Sequence, residues 1–527
     1  MDTHSYTSPE TFSEIHKTLN ATFASGKTKS IAWRKWQLKQ LWWLVHDNEQ
    51  LIIEALAQDL GRHEMESRAA DLSGLKSDIL EHIKHVEEWA ATEPVKGAGV
   101  LFGTLGGAHI RKEPLGVALI IGAWNFPVIL ALQPVIAAVA AGCCAIVKPS
   151  ELAGASERVI VELANRYLDG SAIRVVTGGP KETAEFLEYR FDHIFFTGST
   201  KIAKFVAAAA AKHLTPTVLE LGGQCPAVVT KTADIDLAAK RIAYVKFLNA
   251  GQICLSVNHV FVDPAVHDQF VDSLKRWTVE FGATGQMCNI INERNYDRLS
   301  GLLEKTQGKV LCGEKGSRET KKLPATVVDQ VTMSDSLLTE ELFGPICPVI
   351  TATPDEAIAA INSLPLPLAL YVFSNDQKEI DHVLSNAISG GVTINDALMH
   401  VAVPNAPFGG VGDSGMGYYH GRHGFEAFTH KRVVVGLPRW LEGVMSFRYP
   451  PYDVKNAGKM AVKNNLGFQR GETMADQRVG GFKAGAALRR AFVWAAVLGA
   501  GLYWIDDIRS AKLAVWGFVR RLVGGEL

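Results

Sequence analysis

Between residues 116 and 230, short apolar runs alternate with longer stretches of helical periodicity, and no other feature restricts the fold as tightly. Val117–Ile121 reads as a strand and Ile129–Ala141 as a helix. Ala145–Val147 and His193–Phe196 read as further strands, and Lys201–His213 as another helix. Strands that alternate with helices belong to an α/β fold, with a parallel sheet covered on both faces. Such a sheet binds nucleotides beyond the carboxyl ends of its strands. A second α/β region follows from about 225 to 420, with a helix at Asp236–Phe247 and a strand at Val392–Asn395 that enters a glycine-rich loop. Residues 9–95 carry apolar positions at three-to-four spacing and predict helices.

Composition excludes several classes. The 527 residues are 47% hydrophobic and 21% charged, as in a globular enzyme of several domains. The formal net charge is -1, without a block of like charges, so nucleic-acid binding through a basic surface is not expected. The seven cysteines are odd in number and form no C-x-x-C pair, which argues for a reducing compartment and against a disulfide framework. No metal site is read from the sequence. Residues 1–6 are polar and lack the apolar stretch of a signal peptide.

Two short signatures carry reactive groups: Leu219-Glu220-Leu221-Gly222-Gly223 and Gly251-Gln252-Ile253-Cys254. A free cysteine is most often buried and inert, and the other six are read that way. At Cys254 a Gly-Gln step before a helical start would offer backbone N–H groups to a thiolate and lower its pKa. One thiol with one carboxylate is the minimum for a covalent route: the thiolate attacks a carbonyl carbon and the carboxylate later activates water. Asn125, in Trp124-Asn125-Phe126-Pro127, alone reads as a turn asparagine, yet its amide N–H is also suited to an oxyanion. Lys148-Pro149-Ser150-Glu151 follows a strand. Phe196-Thr197-Gly198-Ser199-Thr200-Lys201-Ile202-Ala203 runs from strand through turn to helix start, a phosphate-facing arrangement.

The order and wording of these segments resemble the aldehyde dehydrogenase superfamily, and the resemblance covers roughly residues 10–435. Glu340-Glu341-Leu342-Phe343-Gly344-Pro345 is similar to the family's E-E-I-F-G-P string. The Gly415-Met416-Gly417-Tyr418-Tyr419-His420-Gly421 run resembles class 3. The resemblance implies that Cys254 is the nucleophile, Glu220 the base for thioester hydrolysis and Asn125 the oxyanion donor. It assigns NAD, with NADP also possible, to Trp124, Lys148, Glu151, Gly198, Ser199, Thr200, Ala203, Glu341 and Phe343. Lys148 and Glu151 would hold the adenosine ribose, where a carboxylate disfavours a 2′-phosphate. Ala203 stands where the family has the last glycine of its phosphate turn, and Leu255–His259 departs from the usual class 3 wording. Relatives that pass the acyl group to coenzyme A lack the glutamate, so Glu220 argues for hydrolysis.

The implied layout is a Rossmann-type cofactor domain over 1–224, with part of an oligomerisation hairpin near 98–114. A catalytic domain over 225–424, an oligomerisation or return segment over 425–450 and a polar linker or gate over 451–483 follow. A hydrophobic tail occupies 484–527. Residues 491–505 contain no charge and are flanked by Arg489-Arg490 and Asp506-Asp507. A helix over that run alone reaches about 22 Å, short of a ~30 Å bilayer core, so spanning requires residues 484–488 as well. Class 3 microsomal fatty aldehyde dehydrogenases resemble this layout. The expectation is a membrane-attached homodimer, its catalytic body in the cytosol, oxidising long fatty aldehydes. An apocarotenal is the alternative substrate, and a catalytically silent membrane scaffold is the rival of another class.

Overall fold

Helices come first. The computed structural model describes residues 6–313, 316–460 and 469–477. Its opening helices are Pro9–Ala24, Ile31–His46, Glu49–Leu60 and Ser73–Ala90, where the spacing of apolar residues predicts them. Serine caps set the first two starts: Ser8 Oγ accepts the Thr11 N–H at 3.2 Å and Ser30 Oγ the Trp33 N–H at 3.4 Å. Gly61 ends the third in a left-handed turn, φ 62, against the Asn289 side chain.

β1 (Glu93–Pro94) and β2 (His109–Pro114) pair antiparallel, with a helical turn at Gly99–Leu105 between them. The first large sheet then begins with β3 (Val117–Ile121), β4 (Cys144–Lys148), β5 (Ile173–Val175), β6 (His193–Thr197) and β7 (Thr217–Glu220), all parallel. The second holds β8 (Pro226–Val229), β9 (His259–Val262), β10 (Lys309–Cys312), β11 (Thr326–Asp329), β12 (Ile346–Thr351), β13 (Ala369–Phe373) and β14 (Gly391–Ile394). β15 (Gly415–Met416) returns to the first sheet and pairs antiparallel with β7, Gly415 opposite Glu220. β16 (Thr429–Val434) returns to β2. The resulting orders are β1-β2-β16, β15-β7-β6-β3-β4-β5 and β10-β11-β12-β9-β8-β13-β14. The six-stranded order reverses direction beside β3, the switch point at which a doubly wound sheet opens a crevice for a dinucleotide.

Burial explains the unbroken apolar runs. Every residue of β3 and β4 is buried, and the helix Ile129–Ala141 between them is buried almost all round. Elements end where capping and backbone chemistry dictate. Ser199 caps a helix that starts at Thr200, one residue before the expected start. β14 stops at Ile394 because Asn395 turns left-handed, φ 56.

The chain divides into two units, 1–438 and 439–527. The first holds all three sheets; the described part of the second contains short helical turns from Arg439–Leu441 to Ala457–Met460 and another at Met474–Asp476. The hydrophobic tail expected at 484–527 lies outside the described residues. Among the described residues no helix is long and apolar enough to cross a membrane.

One core group has a pH consequence. His193, on β6, packs its ring 4.5 Å from that of Phe428, and neither ring nitrogen has a hydrogen-bond partner among the described residues. Burial pushes its pKa down to about 3. The unfolded chain takes up a proton at this residue below about pH 6.5, which the folded state resists. Stability contributed by neutral His193 is therefore complete above about pH 6.5 and lost as pH falls toward 3, at up to about 1.4 kcal/mol per pH unit. In denaturant titrations at several pH values, His193→Leu should show a shallower acid loss than the parent; equal slopes would refute the assignment.

Candidate active site

Three consecutive left-handed residues bring the chain to the Cys254 thiol. After helix Ile235–Phe247, Asn249 (φ 50), Ala250 (φ 51) and Gly251 (φ 68) reverse the backbone. Glycine is obligatory at 251, because a Cβ there would lie 2.3 Å from the Gly344 carbonyl oxygen. Gln252 locks the turn: its Nε2 donates to the carbonyls of Asn249 and Asn289, both at 3.0 Å, and its Oε1 accepts the Ile291 N–H at 3.0 Å. Cys254 follows, half-buried in a turn. The helical start expected there is not formed, so no helix N-terminus lowers the thiol pKa. Burial instead pushes it well above the ordinary range, and nearby Glu341, Cys225 and Glu220 act in the same direction.

Glu220 is the last residue of β7. Its carbonyl accepts the Gly198 N–H at 3.0 Å, and its side chain is only 4% exposed. Neither carboxylate oxygen has a hydrogen-bond partner among the described residues. Burial therefore holds the carboxyl well above its usual pKa. Glu341 is close by: a Cβ on Gly222 would come within 2.4 Å of its carboxylate. Burial pushes Glu341 up to about 7, against a hydrogen bond from Gly223 and the positive charges of Arg298 and Lys246.

Asn125 reaches the same place from the loop after β3. Its Nδ2 donates to the Gln252 carbonyl at 3.1 Å, which leaves the second amide hydrogen without a protein acceptor among the described residues. Trp124 meets Phe343 edge-to-face, ring centroids 5.3 Å apart. The loop carrying Glu341 and Phe343 is fixed by Asn258 Oδ1, which accepts the Leu342 N–H at 2.8 Å. Asn258 is thus a scaffold residue within the unusual Leu255–His259 segment. Tyr419 lines the other side; burial raises its hydroxyl pKa, and Glu220 and Cys254 add to the shift.

The remaining positions line the switch point of the first sheet. Lys148, the last residue of β4, pairs with Glu151 at 2.6 Å. Ser199 Oγ accepts the Ile202 N–H at 3.5 Å, and the other N–H groups of that first turn lack intrahelical partners. Thr200 Oγ1 donates to the Asp413 carbonyl at 3.1 Å. A Cβ on Gly198 would meet the Phe196 ring at 2.5 Å, and Ala203 is buried against the sheet. The donor set suits a dinucleotide: a lysine–carboxylate pair for ribose hydroxyls, and a capped helix N-terminus for phosphate.

Comparison with known proteins agrees with this geometry. The model of the aldehyde dehydrogenase family matches residues 4–434. The chain belongs to that family. A Rattus norvegicus aldehyde dehydrogenase named dimeric and NADP-preferring is 41% identical over 84% of this chain and 98% of its own. Relatives named as family 3 members, such as member B1 of Rattus norvegicus, are 39% identical over 86% of this chain and 97% of that one. A beta-apo-4'-carotenal oxygenase of Neurospora crassa is 40% identical over 83% of both chains. Among solved structures, the substrate-bound state of Staphylococcus aureus AldH shares 37% identity at a TM-score of 0.82, covering 85% of this chain and 98% of that one. The protein is an NAD(P)-dependent aldehyde dehydrogenase.

Sequence reading missed the residues that hold the dehydrogenase site in shape. Asn249 and Cys225 flank the two signatures, and Gln252 lies inside one but was read only for its backbone; all three carry a weak local signal. Cys225 Sγ donates to the Cys254 carbonyl at 3.3 Å. Arg62 carries none: it sits alone in a polar loop, and only the fold brings it to Asn125.

Gly251→Ala tests the turn. The left-handed conformation alone costs about 1–2 kcal/mol, and the contact with Gly344 forces the thiol out of place. Aldehyde oxidation should fall at least about tenfold while cofactor binding persists. Unchanged kcat would show that the turn does not position Cys254.

Proposed function

We propose that this aldehyde dehydrogenase oxidises long apolar aldehydes, fatty aldehydes foremost, to carboxylic acids that are released by hydrolysis. Cys254 is the nucleophile, Asn125 the oxyanion donor and Glu220 the base that activates water. The observation that carries the division of roles is the buried, unpartnered carboxyl of Glu220 beside the thiol. A carboxylate with a raised pKa takes a proton from water more readily than an exposed one. Burial also raises the Cys254 thiol pKa, and the carboxyls of Glu341 and Glu220 lie nearby. As sulfur bonds to the carbonyl carbon, the free N–H of Asn125 Nδ2 meets the developing oxyanion.

Trp124, Glu341 and Phe343 would hold the nicotinamide end of the cofactor, and Lys148 and Glu151 the adenosine ribose. Gly198, Ser199, Thr200 and Ala203 would hold the pyrophosphate. The bound cofactor supplies the hydride acceptor. Glu151 disfavours a 2′-phosphate but is partly neutralised by Lys148, so NAD is favoured and NADP remains usable.

The apolar composition of 484–523 supports membrane attachment, with the catalytic body on the cytosolic side and Arg489 and Arg490 at the surface. An anchored enzyme meets lipophilic aldehydes where they partition. The 40% identity to a carotenal oxygenase favours a second reading, an apocarotenal substrate handled by the same chemistry. A homodimer is supported by the position of β16 at the edge of its small sheet among the described residues and by a relative named dimeric.

Rapid mixing separates the roles. Glu220→Gln should give a near-stoichiometric burst of NADH and then stall on a trapped thioester, whereas Cys254→Ser should give no burst. Equal loss of burst and steady state in Glu220→Gln would place Glu220 in thiol activation instead. Removal of residues after 480 should release the enzyme from vesicles in flotation. Activity on short soluble aldehydes should persist, with a larger loss on long-chain or polyene aldehydes presented in membranes. Full-length protein that does not float would defeat the anchor.

A further inference from the structure

We infer that Arg62 is a positioning residue for the oxyanion site, acting through the backbone of Asn125 and the side chain of Asn249. The inference rests on the reading of Asn125 as oxyanion donor. Arg62 follows the left-handed cap at Gly61, far in sequence from both partners, and its guanidinium is wholly buried. Nη2 donates to the Asn125 carbonyl and, at 2.8 Å, to Asn249 Oδ1, which also accepts Nε at 3.3 Å. Nη1 pairs with Asp71, whose other oxygen accepts the Ile129 N–H at 2.9 Å. The guanidinium also lies 4.7 Å from the centre of the Phe126 ring.

The rigidity of this cluster follows from its bond count. Asn249 Nδ2 donates to both the Asn125 carbonyl, at 3.0 Å, and the Gln252 carbonyl, at 3.1 Å. Asn125 Nδ2 donates to that same Gln252 carbonyl. One planar cation therefore fastens the loop after β3 to the left-handed turn that precedes Cys254. It fixes the distance between the amide that receives the oxyanion and the sulfur that creates it. Asp71 supplies the countercharge such a buried cation needs, and it is anchored to the first turn of helix Ile129–Ala141. Lysine cannot replace the arrangement, since an ammonium has no planar fork with which to hold three acceptors at once.

A double-mutant cycle on the full-length enzyme tests this, read as the rate constant of the NADH burst with saturating cofactor. Asn125→Ala should slow the burst by about a hundredfold. Arg62→Lys should slow it by about tenfold, with little change in KM and in NAD affinity. In the Asn125→Ala background, Arg62→Lys should cost less than about twofold, because the group it positions is gone. Full additivity, or an unchanged burst in Arg62→Lys, would overturn the inference. If Asn125→Ala itself leaves the burst unchanged, the reading of Asn125 fails instead. Arg62→Met with Asp71→Leu removes the buried charge pair together, so the fold need not bear an unpaired ion. That variant should retain its melting temperature within a few degrees and still lose at least about tenfold in burst rate; retention of both would also overturn the inference.

Discussion

Desolvation of acids governs this molecule. Glu220, Glu341 and the Cys254 thiol share one dry place at the meeting of two sheets, and burial is the leading cause of every pKa shift there. A carboxyl taken from water without a hydrogen bond to its charged form prefers to stay protonated. Hydrogen bonds hold the backbone beside Glu220 and Glu341. Glu220 ends a strand bonded on both sides, by Gly198 and by Gly415, and the Glu341 loop hangs from Asn258. The same burial brings the Glu341 carboxyl up to about 7, where it can take up and release a proton near neutral pH.

The fold depends on crossings that bring distant chain segments to one point. β15 returns from the end of the second α/β region to close the edge beside Glu220, and Asn125 reaches across to the turn before Cys254. Arg62 joins them from the helical beginning of the chain. Glycines stand where backbone meets backbone or a charged group: a Cβ at 251 would strike Gly344, and one at 415 would lie 1.8 Å from the Leu219 carbonyl oxygen.

Much of this was legible in the residues. Period-two and unbroken apolar runs placed β3 at Val117–Ile121 and the helix at Ile129–Ala141 to the residue, because both are buried and have no competing environment. The candidate site positions rest on motif order, which no spacing rule supplies: Asn125 and Glu220 alone read as an ordinary turn residue and a strand end. The state of the thiol was not legible. Sequence suggested a helical start at Cys254 that would lower its pKa, whereas the chain turns there and burial raises it, with Glu341, Cys225 and Glu220 acting in the same direction. Arg62 and Asn249 were invisible because their partners lie 63 and 187 positions from Arg62, and no local pattern encodes such contacts.

The central claim is that Glu220 is a buried, unpaired acid. Difference infrared spectroscopy of the cofactor-free enzyme against Glu220→Gln isolates that one carboxyl across a pH series. The account predicts a protonated-acid band that converts to carboxylate only well above the ordinary value of 4.5. A carboxylate band already complete by about pH 5.5, one unit above that value, would contradict it.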